Sequence, residues 1–254
     1  RPQQPPFDET GSRRQAVETT LMDCNISSLI SAIDSTNAAG GGTITLKQDC
    51  VYTATNIHNY WYGPNGLPAI TSDVTIVGNG KSIIERNSGA APFRLFYVAG
   101  KPTTDAGLSG LGAAGHLTLR NMTVRGGLAK GGNGGAGGGG GGLGAGGAVF
   151  VAEGTLLAVN SSFLRNEARG GARGLARNST GGDNADGSGL GGAIFNLNGS
   201  VELYNVTLAD NKVSSGSNLA PLRSKDNPVV TKGVADGRSI YSLSYGYATD
   251  YTIS

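Results

Sequence analysis

The chain has 254 residues and a formal net charge of +2, a field too weak to argue for nucleic acid as a partner. No apolar run approaches the ~18 residues that a membrane-spanning helix requires, and the balance of 38% apolar to 15% charged residues suits a folded chain rather than a disordered one. Forty-four glycines without an every-third-residue spacing exclude collagen and call for tight turns or close backbone contacts.

Residues 1–15, rich in Pro, Gln and Arg, read as an extended arm, and a start at Arg1 rather than Met reads as a mature or recombinant chain. Next, Asp23 and Asn25 offer N-cap oxygens, and Ile26, Leu29, Ile30 and Ile33 fall on one helical face before Gly40 to Gly42 stop the pattern. A cap helix over about 25–37 follows. The stretch TITLKQDCVYTAT then switches to a period of two, as strands do. Cys24 and Cys50 both lie near the start of the folded region and read as one disulfide, two buried thiols being the alternative; the bridge implies an oxidising, secreted or cell-surface setting.

The remainder is a repeat. GGAVFVAEGTLLAVNSSFLRN at 146–166 is matched without a gap by GGAIFNLNGSVELYNVTLADN at 191–211. With Asn160 and Asn205 as markers, LTLRNMTVRGG places Asn121 upstream and VTIVGNGKSII places Gly78 before it, at intervals of 43, 39 and 45 residues. Downstream, Ile240 and Tyr241 stand where Ile194 and Phe195 stand. Loops are expected to leave the repeat at 100–115, 126–145, 167–188 and 214–236, within a single domain over 16–254.

Parity within each copy points to corners. Leu117 and Leu119, Leu156 and Ala158, and Val201 and Leu203 share one strand face, with the marker Asn two residues further on that face. After it the apolar parity flips, as in Met122 and Val124 or Val206 and Leu208. Short strands joined by corners, with Asn121, Asn160 and Asn205 inward in a hydrogen-bonded ladder, describe a parallel β-solenoid; a β-sandwich also has short regular strands but no reason to repeat in register. With its leading helix, this pattern resembles the right-handed parallel β-helix of the pectate-lyase-like superfamily. The GGAV, GGAI and FLRN stretches resemble the Gly-Gly-Ala-Ile and Phe-x-x-Asn repeats of polymorphic outer membrane proteins and related autotransporter passengers, although the second copy reads LADN at 208–211. The resemblance implies an all-β fold and an extracellular setting.

Other motifs carry less. The fifteen glycines of residues 126–147 precede a strand, not the helix that phosphate loops need, and read as close-packed or flexible surface loop. Three of the six Asn-x-Ser/Thr sequons are the corner residues Asn121, Asn160 and Asn205, so that signal is mostly a by-product of the fold. Arg165, Arg169, Arg173 and Arg177 recur every fourth residue amid glycines and read as a basic loop able to contact an acidic glycan. Asp183 and Asp186 are weak candidates for calcium, lacking the spacing of a helix-loop-helix site; no other metal or cofactor is expected. Of the motifs that the resemblance implies for polysaccharide hydrolases only RSK at 223–225 is present, and His58 and His116 have no ligand or triad partner at a suitable spacing. No catalytic residue is named.

Two functions follow as expectations. The first is a structural or adhesin-like surface protein that assembles head to tail into filaments. Its contacts would pair Pro2, Pro5 and Phe7 of the arm with an uncapped C-terminal edge carrying Tyr241, Tyr245, Tyr247 and Tyr251, unless the natural chain continues past Ser254. The second is a polysaccharide-binding or polysaccharide-degrading protein, of lyase or hydrolase type, that uses the loops between Arg165 and Asp186.

Overall fold

The computed structural model describes residues 16–100, 114–136, 138–174, 185–217 and 232–244. Pro2, Pro5, Phe7, Arg177, Asp183, Tyr245, Tyr247 and Tyr251 lie outside the described residues. One helix, Ile26–Ala39, forms where the sequence places it, capped by Asn25, whose side chain accepts from the Ser27 N–H at 2.9 Å. Asp23 supports the cap, accepting from the Asn25 N–H and the Ser28 hydroxyl. Gly40, at φ 83°, closes the helix with its N–H on the Asn37 and Thr36 carbonyls. Leu29 and Ile33 are fully buried and Ile26 and Ile30 partly so, against the same core as the strands. Among the described residues no helix is long and apolar enough to cross a membrane. A disulfide joins Cys24, at the mouth of this helix, to Cys50.

The other regular elements among the described residues are strands, and every pairing between those strands is parallel. In the largest sheet Val17–Thr20, Gly41–Thr45, Asp73–Arg86, His116–Arg125, Thr155–Val159 and Ser200–Tyr204 lie side by side in chain order. Three smaller sheets follow the same order. One of them stacks Phe96–Val98, Val149–Ala152, Ile194–Leu197 and Ile240–Leu243. Register follows the repeat: Leu156 faces Leu117 on one side and Val201 on the other, and Phe195 lies between Phe150 and Tyr241. Columns of like residues thus form the core, with Val74, Leu117 and Leu156 beside Ile76, Leu119 and Ala158, all at most 1% exposed. At the spacing of paired strands, ~4.8 Å, each column is a continuous apolar wall.

Corners explain both the parity flip and one misreading. Asn121, Asn160 and Asn205 adopt φ of 54°, 49° and 53°, the left-handed region that Asn tolerates. One such residue between extended segments bends the strand, so that Leu119 before it and Met122 after it both face the core. The bend turns the Asn itself outward. Asn160 and Asn205 are exposed and Asn121 half-buried, against the expectation that they point inward. A hydrogen bond from Asn205 Nδ2 to Asn160 Oδ1, 2.9 Å, joins two of them on the surface.

The asparagines buried at a corner of the repeat are instead Asn166 and Asn211, which follow a second column of left-handed corners, Gly126, Arg165 and Asp210. The two Gly-Gly-Ala stretches open on a third column, Gly146, Gly191 and Gly237, at φ near 62°. There a side chain would meet the following strand's own carbonyl, so glycine is required by space as well as by φ.

The glycine-rich run is packed. Residues 131–135 and 138–142 run beside 170–174 with carbonyl and N–H groups in direct contact, as in Gly142 N–H to Gly132 O and Gly171 N–H to Gly142 O, at 2.8 and 2.9 Å. A Cβ on Gly171 would lie 1.9 Å from the Gly132 oxygen. The run is therefore the close-packed alternative of the two that composition allows.

Candidate functional site

Residues at the ends of strands of the largest sheet and at the starts of the strands that follow the second corner line a lateral cleft there. Strand pairing sets Glu85 beside Arg125 and Arg125 beside Leu164, while Glu167 is opposite Leu128 on one side and Lys212 on the other. The cleft has two contiguous parts of ≈ 470 and ≈ 480 Å³ that share Arg165 and Glu167. The first adds Glu85, Arg86, Asn87 and Arg125; the second adds Asp210, Lys212 and Arg238. Five basic and three acidic side chains therefore line the cleft, a local excess of positive charge on a nearly neutral protein.

Several of these charges are held in place. Arg125 Nε bonds Glu85 Oε2 at 2.6 Å, and Arg169 bonds Glu167 from Nε and Nη2 at 3.0 and 2.7 Å. Arg86 donates from Nε to the Gly126 carbonyl and from Nη1 to the Asn87 and Ala90 carbonyls, with its guanidinium 5.9 Å from the Phe93 ring. Burial lowers its pKa and the Glu167 charge offsets part of that; the group remains a cation at neutral pH. Arg165 is exposed at its left-handed corner and enters no ion pair with another described residue. Lys212 and Arg238 are likewise exposed. Such a row offers anchored and free cations side by side, which suits a long anionic ligand better than a compact one.

The four arginines singled out from spacing do not act together. Arg165 lines the cleft, and Arg169 is an exposed partner of Glu167 beside it. Arg173 is 5% exposed, its Nη1 3.2 Å from Asp186 Oδ2 while its backbone N–H donates to Asp186 Oδ1 at 2.8 Å. It is a structural ion pair, which removes Arg173 from the expected glycan contacts. The same pair occupies both carboxylate oxygens of Asp186, the one described member of the weak calcium pair. Among the described residues no group of three His, Cys, Asp or Glu side chains converges to hold a metal ion. Tyr241 stacks on Phe195 with centroids 5.9 Å apart and planes 3° apart, so its outer ring face extends a column that includes Phe150 and Tyr97.

Arg86, Arg125, Lys212 and Arg238 were not legible as a set. Applying the 45-residue repeat interval to charged residues would have aligned Glu167 with Lys212, but the 43-residue interval carries Glu85 past Arg125, which it meets only because the register shifts between Val77 and Ser82. Compared with known proteins, the chain matches no family model, no curated protein and no solved structure.

Proposed function

We propose that this chain is a right-handed parallel β-helix of the pectate-lyase-like type, closed at one end by the helix Ile26–Ala39, and that it works as an extracellular or cell-surface, adhesin-like scaffold binding acidic polysaccharide along its lateral cleft. Stacking of strands at the repeat interval supports the solenoid, and the strong preference of parallel crossovers for one hand supports right-handedness. The disulfide supports an oxidising compartment. What carries the function is the row formed by Arg86, Arg125, Arg165, Lys212 and Arg238 along successive repeats, since a polyanion can follow it and a small anion would use only one step.

Calorimetric titration with oligogalacturonate and with a sulfated oligosaccharide tests this reading. Binding should weaken with added salt, because exposed charges are screened, and should fall about tenfold or more in Arg165→Glu with Lys212→Glu. Affinity unchanged by both substitutions would reject the cleft. The same samples, assayed for new chain ends, separate a binder from a polysaccharide lyase or hydrolase.

Head-to-tail assembly is a second reading, favoured by one observation: Phe150, Phe195 and Tyr241 form an aromatic column along the stacking direction, a column that a further subunit could extend. The other end is less receptive, since the helix turns Ser27, Ser31, Asp34 and Ser35 outward. Sedimentation over a range of concentrations, with and without residues 1–15, tests it; growth that depends on the arm supports filaments, and a monomer at all concentrations excludes them.

A further inference from the structure

Segment 56–67, NIHNYWYGPNGL, contains no Asp, Glu, Lys or Arg, and its tip carries three consecutive aromatic residues. Tyr60 is 73% exposed and Tyr62 53% exposed, while Trp61 is half-buried against the cluster of Tyr97, Phe150 and Phe195. These rings are held from below. Asn59 and Asn65 form an antiparallel bridge, and the Asn65 amide donates to Asn59 Oδ1, Trp61 O and Gly63 O at 2.7, 2.9 and 2.9 Å. Asn59 in turn donates to the Leu67 carbonyl at 2.8 Å and accepts from the Trp61 N–H at 3.3 Å. Arg94, 3% exposed, reaches the Tyr62 carbonyl at 2.9 Å and Asn65 Oδ1 at 3.2 Å, with its guanidinium 4.8 Å from the Phe150 ring.

This loop is costly to build. Arg94 enters no ion pair with a described residue, and its buried Nε has no hydrogen-bond partner. Tyr62 holds φ 49°, a left-handed conformation that a bulky residue adopts only when its surroundings impose it. Stability alone would favour glycine or asparagine there. What the strain achieves is placement: the Tyr62 ring stacks on Tyr97 at 5.7 Å and 22°, leans on Phe150 at 5.5 Å, and leaves its outer side to solvent. Tyr60, two residues earlier, is exposed as well.

We propose that the Tyr60–Trp61–Tyr62 tip is a second glycan site, a stacking platform for an uncharged pyranose chain. A ligand for these rings needs a flat apolar face, hydroxyls for the phenols and for the exposed amide and imidazole of Asn56 and His58, and no net charge, since the segment offers none. The C–H face and rim hydroxyls of a pyranose meet all three needs. The platform shares no residue with the basic cleft and does not depend on the reading of that cleft.

Trp61 is the only tryptophan of the chain, so its fluorescence reports on the tip alone. The full chain is titrated with cellohexaose, mannohexaose, xylohexaose and oligogalacturonate. At least one neutral sugar should change Trp61 emission saturably, and its affinity should fall about tenfold or more in Tyr60→Ala and in Tyr62→Gly, which keeps the backbone conformation. Arg165→Glu should leave that response intact while weakening oligogalacturonate, which separates failure here from failure of the cleft. A response to no neutral sugar, or one that survives both tip substitutions, overturns the proposal. So does Trp61 emission that changes with protein concentration in the absence of sugar and ignores added sugar, which would assign the tip to a second copy of the chain.

Discussion

Asn166 and Asn211, one repeat apart, share one oxygen: Asn211 Oδ1 accepts from both the backbone N–H and the side-chain Nδ2 of Asn166, at 3.0 and 3.1 Å. Asn166 Oδ1 passes the pattern on to the Gly127 N–H, and Asn211 Nδ2 closes on the Phe163 carbonyl, both at 3.0 Å. Both side chains are buried, so removing the shared oxygen takes the acceptor from the Asn166 backbone N–H and leaves its Nδ2 only the Val124 carbonyl at 3.3 Å. Asn211→Ala should cost about 3 kcal/mol in urea unfolding, against about 0.5 kcal/mol or less for Asn205→Gly, which gives up only an exposed bond and keeps the left-handed corner. Equal losses would show that the buried ladder is no more important than the surface one.

That contrast also marks how far the sequence could be read. The repeat, the cap helix and the stacking of Leu117 on Leu156 are periodic features, and periodicity survives in one dimension. Which asparagine faces inward does not. Asn160 and Asn166 both precede or follow short apolar strands, and only the left-handed φ at Asn160 decides that its side chain turns out while Ser161 turns in. The cleft was hidden for a related reason, because its charges come from different repeats and Arg173, adjacent in pattern to Arg169, is drawn under the surface by Asp186. The aromatic tip escaped notice because it lies outside the repeat altogether.

Gly171 tests the packed glycine layer. Its Cβ position lies against the Gly132 carbonyl oxygen, and backbone cannot swing aside as a long side chain can. Gly171→Ala should destabilise by about 1–3 kcal/mol and loosen amide-exchange protection at residue 171 itself, whose N–H donates to the Gly142 carbonyl, and at Gly187, whose N–H donates to the residue 171 carbonyl. Gly132→Ala, with open space at its Cβ, should be tolerated. A similar loss from both would show that position 171 has no special crowding.

Alkaline pH should unfold the protein through its buried tyrosines. Burial raises the pKa of Tyr97 well above the usual phenol range, the Tyr62 and Glu153 charges adding to it and the Arg94 charge opposing it; burial likewise raises Tyr52. In the unfolded chain a tyrosine ionises near pH ~10, so above that pH the native state binds more protons than the unfolded one and stability falls as pH rises. Arg94, lowered to about 10 by burial, pulls the other way, since the native state sheds that proton first. A net loss above pH ~10 therefore identifies the tyrosines, and Tyr97→Phe should flatten it. Parallel pH–stability curves for the two proteins would acquit Tyr97.

Arg173 and Asp186 separate structure from recognition at the basic loop. Each is about 5% exposed, and the pair ties residue 173 to residue 186. Removing one partner leaves a buried charge uncompensated, so Arg173→Met should cost about 3–5 kcal/mol, while Arg173→Met with Asp186→Asn should recover part of that loss. Arg169→Ala, at an exposed pair with Glu167, should cost about 1 kcal/mol or less. Glycan affinity in the cleft should follow Arg165 and not Arg173 once each variant is measured below its unfolding transition. A folded Arg173→Met protein that has lost oligogalacturonate binding would return Arg173 to the glycan site and make the ion pair with Asp186 part of recognition.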